Sequence, residues 1–409
     1  MDSQLICRTC QSTDIDLVLD LGLSPIANRY ITSSDFMDEL VYPLAIAICN
    51  NCKIVQTTET LPRESIFEEN YAYFSSTSSS WLRHSKKFAS QVTERFALSK
   101  NSRVLEIASN DGYLLQFFKE LDIQVIGVEP TISTASVAHA IGIPTIVDFF
   151  GATNLADLRA KGLVNADLIV ANNVLAHVPD LKDFIHGMKE VLNQNGVISI
   201  EIPHLMEVIR NNAFDTIYHE HYSYFSILAL DPLFKGAGLR IFDVEDIPTH
   251  GGSIRVFICH EDSKHVTSSK VSLHIEMELN ADLGSQLGFR DMQTRATRQK
   301  DDFLEFLSLN KDSKICGYGA AAKGNTFLNF CSVDASEIVA VFDAAQAKQG
   351  LYLPGSKIPV LSPAEIIEMR PDFLLIFPWN ISSEVIEQTS FISEWGGRHV
   401  IAMPTLKIF

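Results

Sequence analysis

Four of the seven cysteines form two C-x-x-C pairs, Cys7 with Cys10 and Cys49 with Cys52. Each pair can offer two thiolates from one tight turn, and two pairs complete the tetrahedral site of a zinc ion. The 38 residues between Cys10 and Cys49 exceed what a compact zinc ribbon needs, so we expect them to form strands of their own. Free thiols or a disulfide are the alternatives, and a cytosolic address would argue against the disulfide. Four thiolates leave no open position, which predicts a structural metal.

A second cluster with chemical potential is Tyr218-His219-Glu220-His221-Tyr222. Imidazole, carboxylate and phenol together can exchange protons near neutral pH, as general acid–base catalysis requires. The two histidines are only two positions apart, which excludes the H-E-x-x-H motif of metalloproteases. A polar surface turn is the alternative interpretation. The segment follows the fifth predicted strand of the central region, and this position favours a catalytic role.

Acidic and small residues stand at the ends of successive predicted strands in the central region. The first strand ends in Glu106-Ile-Ala-Ser-Asn-Asp-Gly112, which lacks both the full G-x-G-x-x-G fingerprint and the P-loop pattern. The second ends in Glu129, where a carboxylate binds ribose hydroxyls, and the third in a polar and aromatic pair suited to adenine. This order is typical of S-adenosylmethionine-dependent methyltransferases, and NAD binding is the alternative. The predicted cofactor-binding residues are Glu106, Ala108, Asn110, Gly112, Glu129, Asp148, Phe149 and Asn172.

Apolar strands alternating with helices predict a parallel, doubly wound α/β sheet around these residues. Its predicted strands are Arg103–Ser109, Gln124–Pro130, Pro144–Phe149, Ala166–Asn172 and Gly196–Pro203, followed by Leu239–Asp246 and Ser253–His260. A long helical region is predicted from Val271 to Leu309. A second βα series follows it, with strands over Lys314–Tyr318, Ile338–Asp343, Phe373–Phe377 and His399–Ala402.

Length and charge exclude several classes of protein. The 409 residues suggest two to four domains, and 33 basic against 50 acidic residues give a net charge of −17. Such an acidic chain is a poor candidate for nucleic-acid binding. No apolar run is long enough for a transmembrane helix, and no signal peptide is indicated, so we expect a soluble, cytoplasmic protein without a membrane partner. The remaining cysteines, Cys259, Cys316 and Cys331, are expected to be buried small hydrophobes.

Taken together, these motifs resemble the three-domain S-adenosylmethionine-dependent sugar C-methyltransferases that act on nucleotide-linked 4-keto-deoxysugars. The resemblance spans almost the whole chain. It rests on the cysteine pairs at 7–52 and on the segments Asn70–Trp81, Glu106–Leu115, Asn172–His177, Ile217–Ser226, His250–Arg255 and Gly317–Leu328. It implies a zinc-binding module (1–70), a Rossmann-like methyltransferase domain (71–262) and a second Rossmann-like α/β domain for the substrate nucleotide (263–409).

The resemblance also implies a mechanism, in which a base removes the proton next to a ketone and the resulting enolate attacks the sulfonium methyl group. His221 is the implied general base, with Tyr218 and Glu220 beside it. His177 is implied to lie near the acceptor, and Tyr73 to cover the contact between donor and acceptor. His219 is the main rival for the role of base. A nearby donor must stabilise the enolate oxygen.

The C-terminal unit contributes most of the expected substrate contacts. Backbone amides at the helix start near Lys323 make a diphosphate site plausible, whereas a Gly/Ala turn chosen for close packing is the alternative. The predicted substrate-binding residues are Tyr222, His250, Arg255, Tyr318, Lys323, Asn325 and Asn380. A methyltransferase for a different carbon, oxygen or nitrogen acceptor stays open, as does a non-catalytic zinc-containing scaffold. We expect a monomer or a homodimer with a small-molecule substrate.

Overall fold

The computed structural model describes residues 5–62, 66 and 74–409. The strands within these ranges are β1 (Ile15–Ser24), β2 (Tyr42–Cys49), β3 (Val55–Thr57), β4 (Arg103–Ile107), β5 (Gln124–Val128), β6 (Thr145–Ile146), β7 (Ala166–Val170), β8 (Leu192–Pro203), β9 (Ser223–Tyr224), β10 (Leu239–Ile247), β11 (Ser253–His260), β12 (Ile315–Tyr318), β13 (Val341–Phe342), β14 (Val360–Leu361), β15 (Phe373–Ile376), β16 (Arg398–Ile401) and β17 (Lys407–Ile408). The α-helices are α1 (Ser79–Arg95), α2 (Leu115–Glu120), α3 (Ile132–Ala140), α4 (Leu155–Ala160), α5 (Leu181–Val191), α6 (Leu205–Arg210), α7 (Ile227–Gly236), α8 (Ser269–Asn280), α9 (Met292–Leu309), α10 (Ala322–Cys331), α11 (Ile366–Met369) and α12 (Ser382–Gln388).

The N-terminal sheet is antiparallel, with the strand order β1-β2-β3-β9. As expected, the long spacer between the cysteine pairs forms strands, because β1 and most of β2 lie within it. Its fourth strand comes from much later in the chain, since Val55 of β3 pairs with Tyr224 of β9. The His-Glu-His segment therefore leads directly into the sheet of the cysteine-containing module.

The central sheet has seven strands in the order β10-β11-β8-β7-β4-β5-β6. Strands β4 to β8 run parallel, whereas β11 and β10 are antiparallel additions at one edge. Neighbouring residues Val104 and Leu105 are both fully buried and pack in different apolar clusters on opposite faces of the sheet. Cover on both faces explains why these strands are almost continuously apolar. The expected Rossmann-like domain is confirmed.

The C-terminal sheet has the order β14-β13-β12-β15-β16-β17, and all of its pairs except β16 with β17 are parallel. The strand order reverses direction at β12, between β13 on one side and β15 on the other. In open α/β sheets, ligands bind in the crevice beyond the carboxyl ends of the strands at such a switch point. This second Rossmann-like domain also agrees with the sequence prediction.

The helical region predicted from Val271 to Leu309 is wrong in one respect, because it consists of two helices, α8 and α9. The chain leaves the helix after Asn280, and Asp282 adopts a left-handed backbone conformation with φ of 56°. A 3₁₀ turn over Gln286–Phe289 then precedes α9. The predicted strands Pro144–Phe149 and Ile338–Asp343 shorten to two residues each, in β6 and β13.

Cys259, Cys316 and Cys331 are buried, as predicted. Among the helices of the described ranges, none combines the length and apolar character needed to cross a membrane.

Candidate active site

The tight turn after β4 lies at the carboxyl end of the central sheet, where ligands bind in sheets of this kind. Ala108, Asn110 and Gly112 all have positive φ, of 53°, 50° and 80°. A Cβ atom at Gly112 would lie only 3.1 Å from Cγ1 of Ile143, so glycine satisfies both the backbone angle and the space. The turn therefore brings its backbone and the ends of β4 and β5 close together.

Two buried carboxylates stand at this turn. Glu129 accepts hydrogen bonds from the backbone amides of Asn110 and Thr131, both at 2.9 Å. Glu106 is 1% exposed, and Tyr113 is the one described side chain that acts on it by hydrogen bonding. Burial raises the pKa of Glu106 well above its ordinary value, while this hydrogen bond opposes that rise. A buried carboxylate with spare acceptor capacity fits a ligand that brings its own cation or hydroxyl groups.

The rest of this edge is polar too. Ser75 and Ser76 donate backbone hydrogen bonds to the side chains of Asn110 and Asp111, at 2.9 and 3.0 Å, so the chain entering α1 lies on the turn. Tyr73, predicted to cover the site, lies outside the described residues. Oδ1 of buried Asn172 lacks a described partner. These acceptors match a nucleoside that carries a positive charge.

Beyond β6, Asp148 is already engaged by its neighbours. One of its oxygens accepts the Phe149 backbone amide at 2.8 Å, and the other lies 2.6 Å from Nζ of Lys161. Both Asp148 and Phe149 are half-buried at the carboxyl end of the strand. This position agrees with the predicted adenine end of the site.

His221 is held in one tautomer by its neighbours. Nδ1 lies 2.8 Å from the Thr216 carbonyl oxygen, which can only accept, so Nδ1 carries the proton. Nε2 lies 2.8 Å from the Tyr218 hydroxyl and is the acceptor of that hydrogen bond. Burial lowers the pKa of His221 well below its usual value, and the charges of His177 and Lys323 lower it further. The imidazole is therefore neutral at physiological pH, with a lone pair on Nε2.

The other two histidines of the region face different surroundings. The His177 ring lies 4.7 Å from the His221 ring, and its Nδ1 donates to the Glu220 carbonyl at 2.7 Å. Burial lowers the pKa of His177 to about 4. Nε2 of His219 lies 3.1 Å from the carbonyl oxygen of Pro43, in the N-terminal module. His177 and His221 thus form a pair that His219 does not join.

Glu220 connects all three parts of the molecule. Its Oε1 accepts two hydrogen bonds from Asn28, from the backbone amide at 2.8 Å and from Nδ2 at 3.1 Å. The adjacent Ala27 carbonyl accepts a 2.7 Å bond from Asn325 of α10. Asn325 is fully buried, and this contact joins the C-terminal domain to the N-terminal module, while its role as a substrate ligand stays a prediction.

Lys323, two residues earlier, faces the histidine pair from the C-terminal domain. Its Nζ lies 4.8 Å from the centre of the Trp379 ring, and Trp379 donates a 2.7 Å hydrogen bond to Oδ2 of buried Asp215. Asp215 directly precedes Thr216, the residue that holds His221. Burial lowers the pKa of Lys323, and the charge of Asp215 opposes this shift.

Two predicted substrate ligands near Lys323, Tyr318 and Asn380, have different surroundings in the structure. Tyr318 ends β12, but its hydroxyl bonds Oε1 of Gln388 at 3.4 Å. Asn380 is exposed, and the neighbouring Trp379 is the residue that reaches the site. The short 3₁₀ helix over Trp379–Ile381 determines which of the two points inward. The role of Asn380 in substrate binding stays a prediction.

Two further predicted substrate ligands, Tyr222 and Arg255, make hydrogen bonds inside the protein. Tyr222 is fully buried against the N-terminal module, and its hydroxyl donates to the Leu61 carbonyl at 2.7 Å. Arg255 is 5% exposed and bonds Glu201 at 2.8 Å. Burial alone would raise the pKa of Glu201, but His84 and Arg255 lower it to about 2. These internal hydrogen bonds engage both side chains, and their roles in substrate binding stay predictions.

His250 does lie at the site, in the turn between β10 and β11. Its backbone is left-handed, with φ of 54°, and its Nε2 lies 3.4 Å from Nδ2 of Asn173. A side chain at the following Gly251 would collide with Trp379. Burial lowers the pKa of His250 to about 4, and Lys323 contributes to that shift.

The four N-terminal cysteines converge as predicted. Their Sγ atoms all lie within 4.8 Å of one another, with Cys7 to Cys52 at 3.5 Å and Cys10 to Cys49 at 3.4 Å. Tetrahedral zinc with Zn–S bonds of about 2.3 Å places its sulfur ligands at about 3.8 Å from one another, so the site fits zinc. Four thiolates would fill the coordination sphere of such a metal, which agrees with a structural role.

Three residues around the histidine pair were not among the predicted site residues: Asn28, Asp215 and Thr216. Asn173 and Trp379 follow the ends of strands β7 and β15, the position at which ligand contacts are expected. Asn28 has no such signal, because its partner Glu220 is 192 residues away along the chain.

Comparison with known proteins agrees with this architecture. Three family models match the chain: "Putative zinc binding domain" over residues 7–67, "Methyltransferase domain" over 81–244 and "C-methyltransferase C-terminal domain" over 248–404. The chain is also 32% identical over 406 residues to the C-methyltransferase NovU of Streptomyces niveus, which covers 98% of this chain and 96% of that protein.

Two similar solved structures each match part of the chain. An S-adenosylmethionine-dependent methyltransferase from Clostridium acetobutylicum is 16% identical, with a TM-score of 0.34, over 43% of this chain and 90% of that one. The 1,6-didemethyltoxoflavin-N1-methyltransferase of Burkholderia thailandensis is 16% identical, with a TM-score of 0.33, over 44% and 79% of the two chains.

Proposed function

The chain belongs to the family of S-adenosylmethionine-dependent C-methyltransferases with an N-terminal zinc-binding domain, and from this we propose its acceptor and its base. The acceptor is a nucleotide-linked 4-keto-deoxysugar, with thymidine diphosphate as the nucleotide. The methyl group goes to the carbon next to the ketone, and His221 removes the proton from that carbon.

The observation that carries this proposal is the state of His221. Carbon is a nucleophile only after a proton next to the carbonyl has been removed, so the site needs a neutral base. His221 offers its Nε2 lone pair, while Thr216 fixes the opposite nitrogen at 2.8 Å. A neutral amine acceptor carries a lone pair already and would need no such base, whereas a C–H acceptor has none until a base has removed the proton.

S-Adenosylmethionine, when bound, supplies an electrophilic methyl group on its sulfonium. Glu106, the turn through Asn110 and Gly112, and Glu129 would hold it at the end of β4 and β5. The oxygens of Glu106 have spare acceptor capacity for its cationic or hydroxyl groups. Asp148 and Phe149 provide the adenine end, and Asn172 lies at the end of β7, nearer to the histidines.

The proton step uses groups already in position. Nε2 of His221 accepts the proton, and Tyr218, which bonds that nitrogen at 2.8 Å, orients the ring before the acceptor enters. The Thr216 carbonyl keeps its hydrogen bond to Nδ1 of the resulting imidazolium. Burial and the charges of His177 and Lys323 lower the pKa of His221, whereas the hydrogen bond to Thr216 favours the protonated ring and raises it.

The nucleotide of the acceptor is proposed to bind at the switch point of the C-terminal sheet, beyond β12 and β15. The backbone turns there through Gly319, and α10 starts at Ala322 with free backbone amides of its first turn. Such a helix start favours phosphate oxygens. The sugar would then extend from this crevice towards His221.

Hydrogen exchange in deuterated water tests the base. With S-adenosylhomocysteine bound, wild-type protein should exchange the hydrogen next to the ketone of a thymidine-diphosphate-linked 4-keto-6-deoxysugar. His221→Ala should slow this exchange by about 100- to 10,000-fold, the usual contribution of a general base. Affinity for S-adenosylhomocysteine, measured by calorimetry, should stay within about twofold.

His219→Ala is the matched control, because its imidazole lies in the same segment but faces Pro43. It should retain exchange within about tenfold. Equal losses in both variants would contradict the assignment of His221. Binding of S-adenosylhomocysteine without binding of thymidine diphosphate would keep the methyltransferase and refute the nucleotide-sugar acceptor.

A further inference from the structure

The proposed enolate needs a positive or hydrogen-donating group near its oxygen, and His221 cannot provide it while it accepts the proton. Among the described residues, Lys323 is the lysine or arginine whose charge acts on both His221 and His250. It is delivered by α10, from the domain expected to hold the nucleotide.

Lys323 is fixed by an aromatic ring and has no close acid partner. Its Nζ lies 4.8 Å from the centre of the Trp379 ring, and no described carboxylate lies within 4.0 Å of it. A cation over an indole face is oriented but keeps its hydrogen-bonding capacity. Its three N–H groups can therefore reach a ligand.

Asp215 places this ammonium beside the base. Oδ2 of Asp215 accepts the Trp379 indole N–H at 2.7 Å, and Oδ1 has no partner among the described residues. The next residue, Thr216, bonds Nδ1 of His221 at 2.8 Å. Lys323, Trp379, Asp215, Thr216 and His221 thus form one contiguous series across the domain boundary.

We propose that Lys323 hydrogen-bonds the ketone oxygen of the acceptor and stabilises the negative charge that forms there. This rests on the function proposed above. The C–H bond next to the ketone breaks, its proton moves to Nε2 of His221, and its electron pair becomes the new C=C bond as the carbonyl pair moves to oxygen. The carbon then forms its bond to the methyl group while the S–C bond breaks, and that pair stays on sulfur.

A diphosphate ligand for Lys323, as the sequence suggested, agrees less well with these surroundings. A diphosphate beside Nζ would bring two negative charges close to the partner-less Oδ1 of Asp215. The ketone oxygen is neutral before reaction, and its charge develops only in the transition state, where a preorganised cation is most effective.

Two variants distinguish stabilisation of the ketone oxygen by Lys323 from binding of the diphosphate by Lys323. Lys323→Met removes the charge and nearly preserves volume, and Lys323→Gln retains a hydrogen-bond donor. With S-adenosylhomocysteine bound, we expect Lys323→Met to slow hydrogen exchange of the thymidine-diphosphate-linked 4-keto-6-deoxysugar by about 100- to 1,000-fold, as for loss of an oxyanion donor. The loss in Lys323→Gln should be smaller. Affinities for thymidine diphosphate and S-adenosylhomocysteine should stay within about twofold.

Lys300→Met is the matched control, because Nζ of Lys300 also lies over an aromatic ring, 5.1 Å from the centre of Phe330, away from the histidines. It should exchange like the wild type. A loss of thymidine diphosphate affinity in Lys323→Met would make Lys323 a phosphate ligand, and unchanged exchange would refute the proposal. A wild type that fails to exchange would instead refute the proposed function, before any variant is compared.

Discussion

At the end of β4 the chain turns through Gly112 towards α2, and at the end of β12 it turns through Gly319 towards α10. Both glycines have positive φ, 80° and 85°, and both turns stand where parallel strands end. The first is surrounded by carboxylates, among them Glu106 and Glu129. The second leads into Lys323, which lies over Trp379.

The same backbone geometry therefore presents opposite charges. The carboxylates suit a nucleoside with a sulfonium and hydroxyl groups, whereas the ammonium suits an oxygen that becomes negative. Because both sites are buried, these charges are poorly screened by water and act strongly on their ligands. Side chains, rather than the strand–turn–helix unit, decide which reactant each turn holds.

The largest expected effect is the pH dependence of stability that His250, a neutral histidine near the second turn, produces. His250 has a folded-state pKa of about 4, against about 6.5 when unfolded. Between these values the unfolded chain binds more protons, so the contribution of His250 to stability is complete above pH 6.5 and is lost as pH falls to 4. At 1.36 kcal/mol per pKa unit, this loss is about 3 kcal/mol.

His250→Asn should remove that loss, and asparagine tolerates the left-handed backbone at this position. Urea unfolding of both proteins at pH 7 and pH 4 measures the difference. Buried carboxylates with raised pKa values act in the opposite direction, but they are common to both proteins and cancel. An unchanged pH dependence would mean that His250 is not held neutral beside Lys323.

The next largest effect is expected from a substitution at the first turn, which follows β4. Glu106→Gln keeps the shape of the side chain but replaces one acceptor oxygen by an amide donor, so S-adenosylmethionine and S-adenosylhomocysteine should bind about 10- to 100-fold more weakly. Thymidine diphosphate should bind as before. Calorimetry with both ligands measures this, with Glu261→Gln on the surface as the control. Weakening of both ligands would show that the two turns do not act separately.

The smallest effect is expected from a substitution in the backbone of the second turn, which follows β12. A Cβ atom at Gly319 would lie 2.5 Å from Cδ of Pro378, whereas Gly162, with φ of 104°, has no neighbour within 4 Å of such an atom. Both alanine variants carry backbone strain, but only Gly319→Ala adds a collision. We expect it to lower the free energy of unfolding by about 1 kcal/mol more than Gly162→Ala, and to weaken thymidine diphosphate binding. Equal losses of stability would contradict the close contact.

The sequence supported the prediction of both Rossmann-like sheets, because buried parallel strands are continuous apolar runs with polar residues at their ends. It could not distinguish Trp379 from Asn380, since a single 3₁₀ turn decides which points inward. Nor could it show that Tyr222 is buried by Leu61, because such contacts join distant parts of the chain. The division between α8 and α9 was missed because the helical pattern continues on both sides of Asp282.

The contribution of β9 to the N-terminal sheet has a consequence for biosynthesis. The ribosome makes β3, which ends at Thr57, long before it makes Ser223 and Tyr224. Until then, β3 is an unpaired edge that another nascent chain could join. A fragment that ends before residue 223 should therefore self-associate even when it binds zinc, and the module cannot be transplanted by itself.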